Sequence, residues 1–291
     1  MFKVEAKLNK KHQLEAENIL FETAPNNWML SLNRKTKDLK LEGVFESEIE
    51  ANQGVLQFEK FLSKNNYQVE VTELDNYWQE AYKEHFKPWS YNRYNFIPEW
   101  EKFNHIKLNS GVNIFIDPGM AFGTGTHETT RLCIELLIDN LDQKSDGCYS
   151  MLDVGCGSGI LSILGQHIGF KSIHGIDNDE NAIQNSLHNL SLNFHESTIK
   201  FEQKSIDSFE NDSYDCVVAN IQSDVLIKNA QRLVELLKNN GVLILSGILN
   251  YEAEDVSKVY SKLFEYKNMS FALETKFLKE WCAIIFNITP L

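Results

Sequence analysis

The chain is poor in the residues that staple, break or anchor a fold. It has only five cysteines and five prolines in 291 residues. No apolar run approaches the roughly 20 residues that a membrane helix needs. Cys133, Cys148, Cys156, Cys216 and Cys282 are odd in number and lack paired metal-ligand spacing. That excludes a closed disulfide framework and points to reduced thiols. Met1-Phe2-Lys3-Val4-Glu5 runs straight into alternating charge, so a cytoplasmic protein without signal peptide or membrane association is expected. Basic residues are in deficit too: 28 Lys and Arg stand against 41 Asp and Glu, a formal charge of −13. Binding bare nucleic acid needs a basic face to neutralise phosphate, so a basic partner protein suits this chain better. His174, His188 and His195 share no spacing with nearby thiols or carboxylates that defines a metal site, and none is expected.

What is present is ordinary globular material, 43% apolar and 24% charged, long enough for a catalytic domain and a smaller appendage. Phe2 to Leu8 alternates like a strand, His12 to Phe21 has helical spacing, and Asn27–Leu32 and Leu39–Phe45 read as strands around the turn Arg34 to Lys37. Val55, Phe58, Phe61 and Leu62 fall at helical spacing, and Tyr67 to Val71 alternates again. The order β-α-β-β-α-β predicts a ferredoxin-like α+β domain over residues 1–73. A polar helical stretch from Asp75 to Phe86, ended by Lys87-Pro88, makes residues 74–103 a linker with a helix. From 104 to 291, apolar runs at Ile114, Met151, Ile173, Thr198, Cys216 and Val242 alternate with helical patterns that begin at Thr129, Gly159, Glu180 and Asp224. That is the signature of an α/β, Rossmann-like sheet. Two last runs, near Phe271 and at Trp281–Phe286, leave little room for a helix between them and predict a closing antiparallel pair.

Four motifs carry the chemistry. Met151-Leu152-Asp153-Val154-Gly155-Cys156-Gly157-Ser158-Gly159 is a strand followed by a glycine turn, where missing β-carbons admit a nucleotide-like ligand. The third glycine comes one residue too early for a dinucleotide fingerprint, because Ile160 stands at that place. Asp153, ahead of the turn, would repel a pyrophosphate but suits the cationic methionyl end of S-adenosylmethionine. Asp177 ends the next strand, where a carboxylate accepts both hydroxyls of a ribose, or else merely caps the following helix. Ser205 and Ile206 follow a later strand and can flank an adenine ring. The stretch Asp117 to Thr130 holds three glycines and several threonines before an apolar helix. It reads as a mobile, hydrogen-bonding lid, with Thr124 and Thr126 over the cofactor and His127 either orienting a substrate or a carboxylate or standing as a surface residue at the helix start. Finally, Asn220 follows a buried strand at the carboxyl edge, where open α/β sheets place their sites. A neutral amide there accepts an N–H bond and aims an amine lone pair without favouring the ammonium form, as a carboxylate would.

Together these residues resemble the bacterial ribosomal protein L-eleven (L11) methyltransferase family. The similarity rests on the loop 117–130, the glycine turn 155–159, Asp177, Asn220-Ile221, Leu245-Ser246-Gly247-Ile248-Leu249 and Glu280-Trp281-Cys282, in the family's order. Trp78 with Lys87-Pro88 resembles the family's interdomain connection. The resemblance implies a class I methyltransferase domain behind a small recognition domain. It implies S-adenosylmethionine as cofactor and methylation of lysine and terminal amines of L11, with a monomer expected. The implied cofactor site comprises Thr124, Thr126, Asp153, Gly155, Cys156, Gly157, Gly159, Asp177, Asn178, Ser205, Ile206 and Asn220, with Asn220 and His127 as catalytic candidates. A lysine methyltransferase acting on another protein, such as an electron-transfer flavoprotein subunit, shares this core. A nicotinamide-dependent oxidoreductase is disfavoured by the glycine spacing, and a pure binding module would not need the 117–130 loop.

Overall fold

Alternating apolar and charged residues build the first unit. The computed structural model describes residues 1–13, 15–16, 19–20, 28–32, 39–73, 86–102, 111–117, 127–142, 149–208 and 213–289. It divides into two compact units, Met1–His85 and Phe86–Leu291. In the first, β1 (Phe2–Leu8), β2 (Trp28–Leu32), β3 (Leu39–Phe45) and β4 (Val69–Glu73) pair in the order β2-β3-β1-β4, every neighbour antiparallel. This is the ferredoxin-like strand order. Val4, Ala6 and Leu8 from β1 join Leu39, Leu41 and Phe45 from β3 in one core. The intervening residues are charged and pair among themselves: Lys3 Nζ lies 2.8 Å from Glu5 and 2.7 Å from Glu42, and Lys40 Nζ lies 2.7 Å from Glu5.

Helix formation in this unit differs from the pattern in one respect. The predicted helix over Val55 to Leu62 is two helices, α1 (Glu48–Gln57) and α2 (Glu59–Lys64), separated at Phe58. Ser47 caps α1 by accepting the amide of Glu50 at 3.2 Å. Phe58 interrupts the helix with its ring fully buried, 4.8 Å from Trp28 between centroids. Core packing therefore outweighs helical continuity there. The described residues of 13–20 are helical beyond a short 3-10 turn at Lys10–His12. The predicted turn at Arg34 to Lys37 and the polar helical stretch, up to residue 85, lie outside the described residues.

The second unit begins with a three-stranded sheet, β5 (Trp89–Tyr91), β6 (Tyr94–Pro98) and β7 (Val112–Ile116). Residues 86–102, read from the sequence as part of the linker, thus belong to this unit. Tyr94, Phe96 and Ile97 are buried in it. Its main sheet comprises β8 (Ser150–Val154), β9 (Ser172–Asp177), β10 (Ile199–Gln203), β11 (Tyr214–Asn220), β12 (Leu237–Leu249), β13 (Ser270–Leu278) and β14 (Trp281–Thr289). The order is β10-β9-β8-β11-β12-β14-β13. The first five are parallel, and β14 runs antiparallel between β12 and β13, as the two last apolar runs predict.

Helices cover both faces of this sheet. Residues of α3 (Glu128–Leu141), α4 (Ile160–Ile168) and α5 (Glu180–Asn193) join the first hydrophobic core. Those of α6 (Ser223–Lys228), α7 (Ala230–Glu235) and α8 (Ala253–Tyr266) join the second. Burial on both faces explains why these strands read as continuous apolar runs. Strand order reverses between β8 and β11, and a crevice outside the carboxyl ends of strands at such a reversal is where open α/β sheets bind ligands. No helix among the described residues is long and apolar enough to cross a membrane.

Candidate functional site

A cavity of about 580 Å³ sits at that reversal. One side is formed by Gly155, Gly157, Asp177, Asn178 and Ile206, the other by His127, Asn220, Ile221 and Trp281. On the first side, Gly155 (φ 71°), Gly157 (φ 52°) and Gly159 (φ 76°) are all left-handed, a conformation that side chains resist. A β-carbon on Gly155 would fall 2.4 Å from Cγ2 of Ile221, so its absence lets the ends of β8 and β11 share one crevice. The amides of Gly155 and Cys156 donate to the Ile176 carbonyl at 2.8 and 3.0 Å, and Gly159 N donates to Cys156 O at 2.8 Å. Gly157 N donates to Asp177 Oδ2 at 3.0 Å. Four amides of the turn are therefore engaged within the protein, which leaves them no bond to give a diphosphate. A nucleoside without that group fits better.

Asp177 supplies the polar end of this wall. Its Oδ1 accepts the Asp179 amide at 3.0 Å and its Oδ2 the Gly157 amide, so both oxygens keep acceptor capacity for a diol. Ile206 adds an apolar surface nearby, only 8% exposed. Asp153 is placed differently from the expectation of a direct contact with the cofactor. It is 1% exposed, does not line the cavity, and accepts the Ser162 amide at 3.1 Å and hydroxyl at 2.7 Å. The carboxylate thus holds the first turn of α4. Burial pushes its carboxyl up to about 7, against the Ser162 bonds, with Asp177 adding to the rise.

The opposite wall is built on β11 and the start of α3. Asn220 ends β11 and is 8% exposed; its Nδ2 donates to Thr130 Oγ1 at 3.3 Å, while its buried Oδ1 has no hydrogen-bond partner among the described residues. An orphaned buried carbonyl is costly unless a ligand N–H meets it. The Ser246 hydroxyl lies 3.2 Å from Thr129 O and 3.1 Å from Cys282 O, pinning the same turn of α3 to β12 and β14. His127 caps α3: its Nδ1 accepts the Thr129 amide at 3.3 Å and lies 2.8 Å from Thr129 Oγ1. Its ring meets Trp281 edge-on, 5.1 Å between centroids. Glu128 beside it pairs with Lys279, which holds the carboxyl below its ordinary value. Gly247 (φ 84°) lets β12 pass this wall, because a β-carbon there would lie 2.2 Å from Ile221 O.

The structure thus gathers His127, Gly155, Gly157, Asp177, Asn178, Ile206 and Asn220 around one cavity. Cys156, 5% exposed, and Gly159, the N-cap of α4, shape the turn from behind. Ser205 does not line the cavity; its carbonyl accepts the amide and hydroxyl of Ser208 at 3.1 and 2.7 Å. Thr124 and Thr126 lie outside the described residues. Two wall residues have no signal in the spacing of the sequence. Lys204 arrives from the loop after β10 and Val225 from α6, and no local pattern encodes their tertiary positions. His188 is also brought into unforeseen company: its Nε2 lies 3.2 Å from Glu99 Oε2 and 3.9 Å from Asp117 Oδ2.

Residues 4–289 match the model of the family described as ribosomal protein L11 methyltransferase (PrmA). A ribosomal protein L11 methyltransferase of Thermoanaerobacter pseudethanolicus is 36% identical over 222 residues, 76% of this chain and 68% of its own. One from Campylobacter lari is 35% identical over 272 residues, covering 89% of this chain and 90% of its own. The crystal structure of a ribosomal protein L11 methylase from Lactobacillus delbrueckii superposes with a TM-score of 0.60 at 24% identity, over 70% of this chain and all of that one. The last likeness concerns the fold.

Proposed function

The chain belongs to the ribosomal protein L11 methyltransferase family, and from that premise we propose that it methylates lysine side chains and the terminal amine of ribosomal protein L11 in the cytoplasm, as a monomer. It is an S-adenosylmethionine-dependent protein methyltransferase. The observation that carries the proposal is the buried Asn220 carbonyl, without a hydrogen-bond partner among the described residues, which shares a cavity with Asp177 and the glycine turn. When bound, the cofactor supplies one electrophilic sulfonium methyl. Asp177 accepts the ribose hydroxyls, and Ile206 flanks the adenine. Asn220 Oδ1 accepts an N–H of the attacking amine and aims its lone pair.

Orientation supplies most of the acceleration. A free lysine has a pKa of about 10.4, so roughly one in a thousand is neutral near pH 7.4. His127, Thr129, Asn220, Ile221, Val225 and Trp281 put no carboxylate on the amine's side, so that wall does not favour the ammonium form. His127 orients this wall through Thr129, and residues 1–73 recognise the protein substrate. A lysine methyltransferase acting on an electron-transfer flavoprotein subunit has no support among the relatives above. The test is transfer of label from methyl-labelled S-adenosylmethionine in a cell extract and onto purified L11. Labelled L11 is expected; label on a different protein, with L11 left bare, overturns the substrate assignment.

A further inference from the structure

β7 is an edge strand: β6 pairs with one side of it, and its other side faces α5. There, side-chain amides do the work of a neighbouring strand. Asn193 Oδ1 accepts Phe115 N at 2.8 Å and its Nδ2 donates to Phe115 O at 2.7 Å. Asn189 repeats the pair one helical turn earlier and two strand residues later, accepting Asp117 N at 2.7 Å and donating to Asp117 O at 3.1 Å. The repeat fits because four helical residues advance about 6.0 Å and two strand residues about 6.6 Å. Asn185 Nδ2 lies 3.4 Å from Asp117 O and its Oδ1 3.2 Å from Asn189 Nδ2, extending the ladder.

Asn189 differs from Asn193 in where its Nδ2 reaches beyond β7. Asn193 Nδ2 also donates to Asn189 O at 2.7 Å, within its own helix, whereas Asn189 Nδ2 donates, at 2.9 Å, to Ser158 O, inside the glycine turn. The side chain is completely buried, so no water replaces a lost bond. One amide thereby joins two segments of the site: Asp117, where the chain enters the 117–130 loop, and the turn whose other flank is held by Asp177 through Gly157 N. We propose that Asn189 is a positioning residue for the methyl donor, fixing the glycine turn against the end of β7 so that the turn is held in its binding shape from both flanks. The proposal rests on the cavity being the donor site.

The test compares Asn189→Ala with Asn193→Ala, which strips an equivalent pair of bonds from β7 but leaves the turn alone. Affinity for S-adenosylmethionine is read by calorimetry, and unfolding temperature without cofactor measures the shared structural loss. Losing the bond from Asn189 to Ser158 O should weaken donor binding about tenfold, or about 1.4 kcal/mol, in Asn189→Ala, against less than about twofold in Asn193→Ala. Equal losses in the two variants, or unchanged affinity in Asn189→Ala, overturn the proposal. No binding by the wild type refutes the donor site itself. If Asn189→Ala does not fold, hydrogen exchange of the wild type decides: the amides of Asp117 and Gly159 should gain protection together on donor binding, and protection of one alone overturns the coupling.

Discussion

Two carboxylates, one in each unit, are displaced in opposite directions. Glu5 in the first unit sits between Lys3 and Lys40, and those partners hold its carboxyl down at about 2. Asp153 in the second is raised to about 7 by burial, which its bonds to Ser162 only partly offset. The contrast follows from how each sheet is covered. The first has one core face, and its other residues carry charges that neutralise one another in partial contact with water. The second is packed on both faces, and Asp153, near the carboxyl end of β8, has the neutral donors of Ser162 for partners. The first arrangement favours the ionised form and stability at neutral pH; the second favours the protonated form and spends stability to hold a turn in place.

The largest expected effect tests whether the units stand on separate cores. Phe58→Ala removes a fully buried ring from the first core and should destabilise that unit by about 3–5 kcal/mol while S-adenosylmethionine affinity stays as in the wild type. A parallel loss of affinity would break the distinction. Asn220→Ala acts on the second unit's chemistry: kcat should fall about 100-fold with cofactor affinity nearly kept, and wild-type turnover would remove Asn220 from the reaction.

The opposite shifts give opposite pH slopes. Unfolded Asp153 loses its proton near 3.8 but the folded form holds it to about 7, so stability falls as pH rises through that window. Asp153→Asn keeps the acceptor for Ser162 and should abolish roughly 2–3 kcal/mol of that fall between pH 5 and 8, read from urea midpoints. Parallel curves for the two proteins would show that the charge is not felt. For Glu5 the sign reverses: its contribution is present above about 4.5 and disappears as pH drops toward about 2. Solvent around the half-exposed lysines keeps the effect of Glu5→Gln below about 1 kcal/mol at pH 7, and a larger loss would mean that the pair is shielded.

The parts of the site legible in the sequence are those whose chemistry is local. A glycine turn after an apolar strand, an acid at the end of the next strand and an amide at the end of a third each announce themselves through neighbours in the chain. Asp153 shows the limit. Position along a strand fixes that its carboxylate is near the turn, not on which side of the turn it lies. The ladder Asn185, Asn189 and Asn193 was hidden because polar residues every fourth position read as a solvated helix face. In the fold, β5 escaped notice because three residues are too few for alternation to register. Helix α8 has a faint pattern in the sequence although Val256, Tyr260 and Phe264 stand four apart and are fully buried, since Ser and Lys fall between them.

The placement of β14 between β12 and β13 has a consequence for how the enzyme matures. Residues 281–289 follow the other described strands of the sheet in the chain, yet they occupy an interior lane of it and bring Trp281 to the pocket wall. A growing chain can assemble the five parallel strands and the nucleoside side of the crevice first. The amine side is complete only when this segment has paired with β12, because Trp281 belongs to that wall.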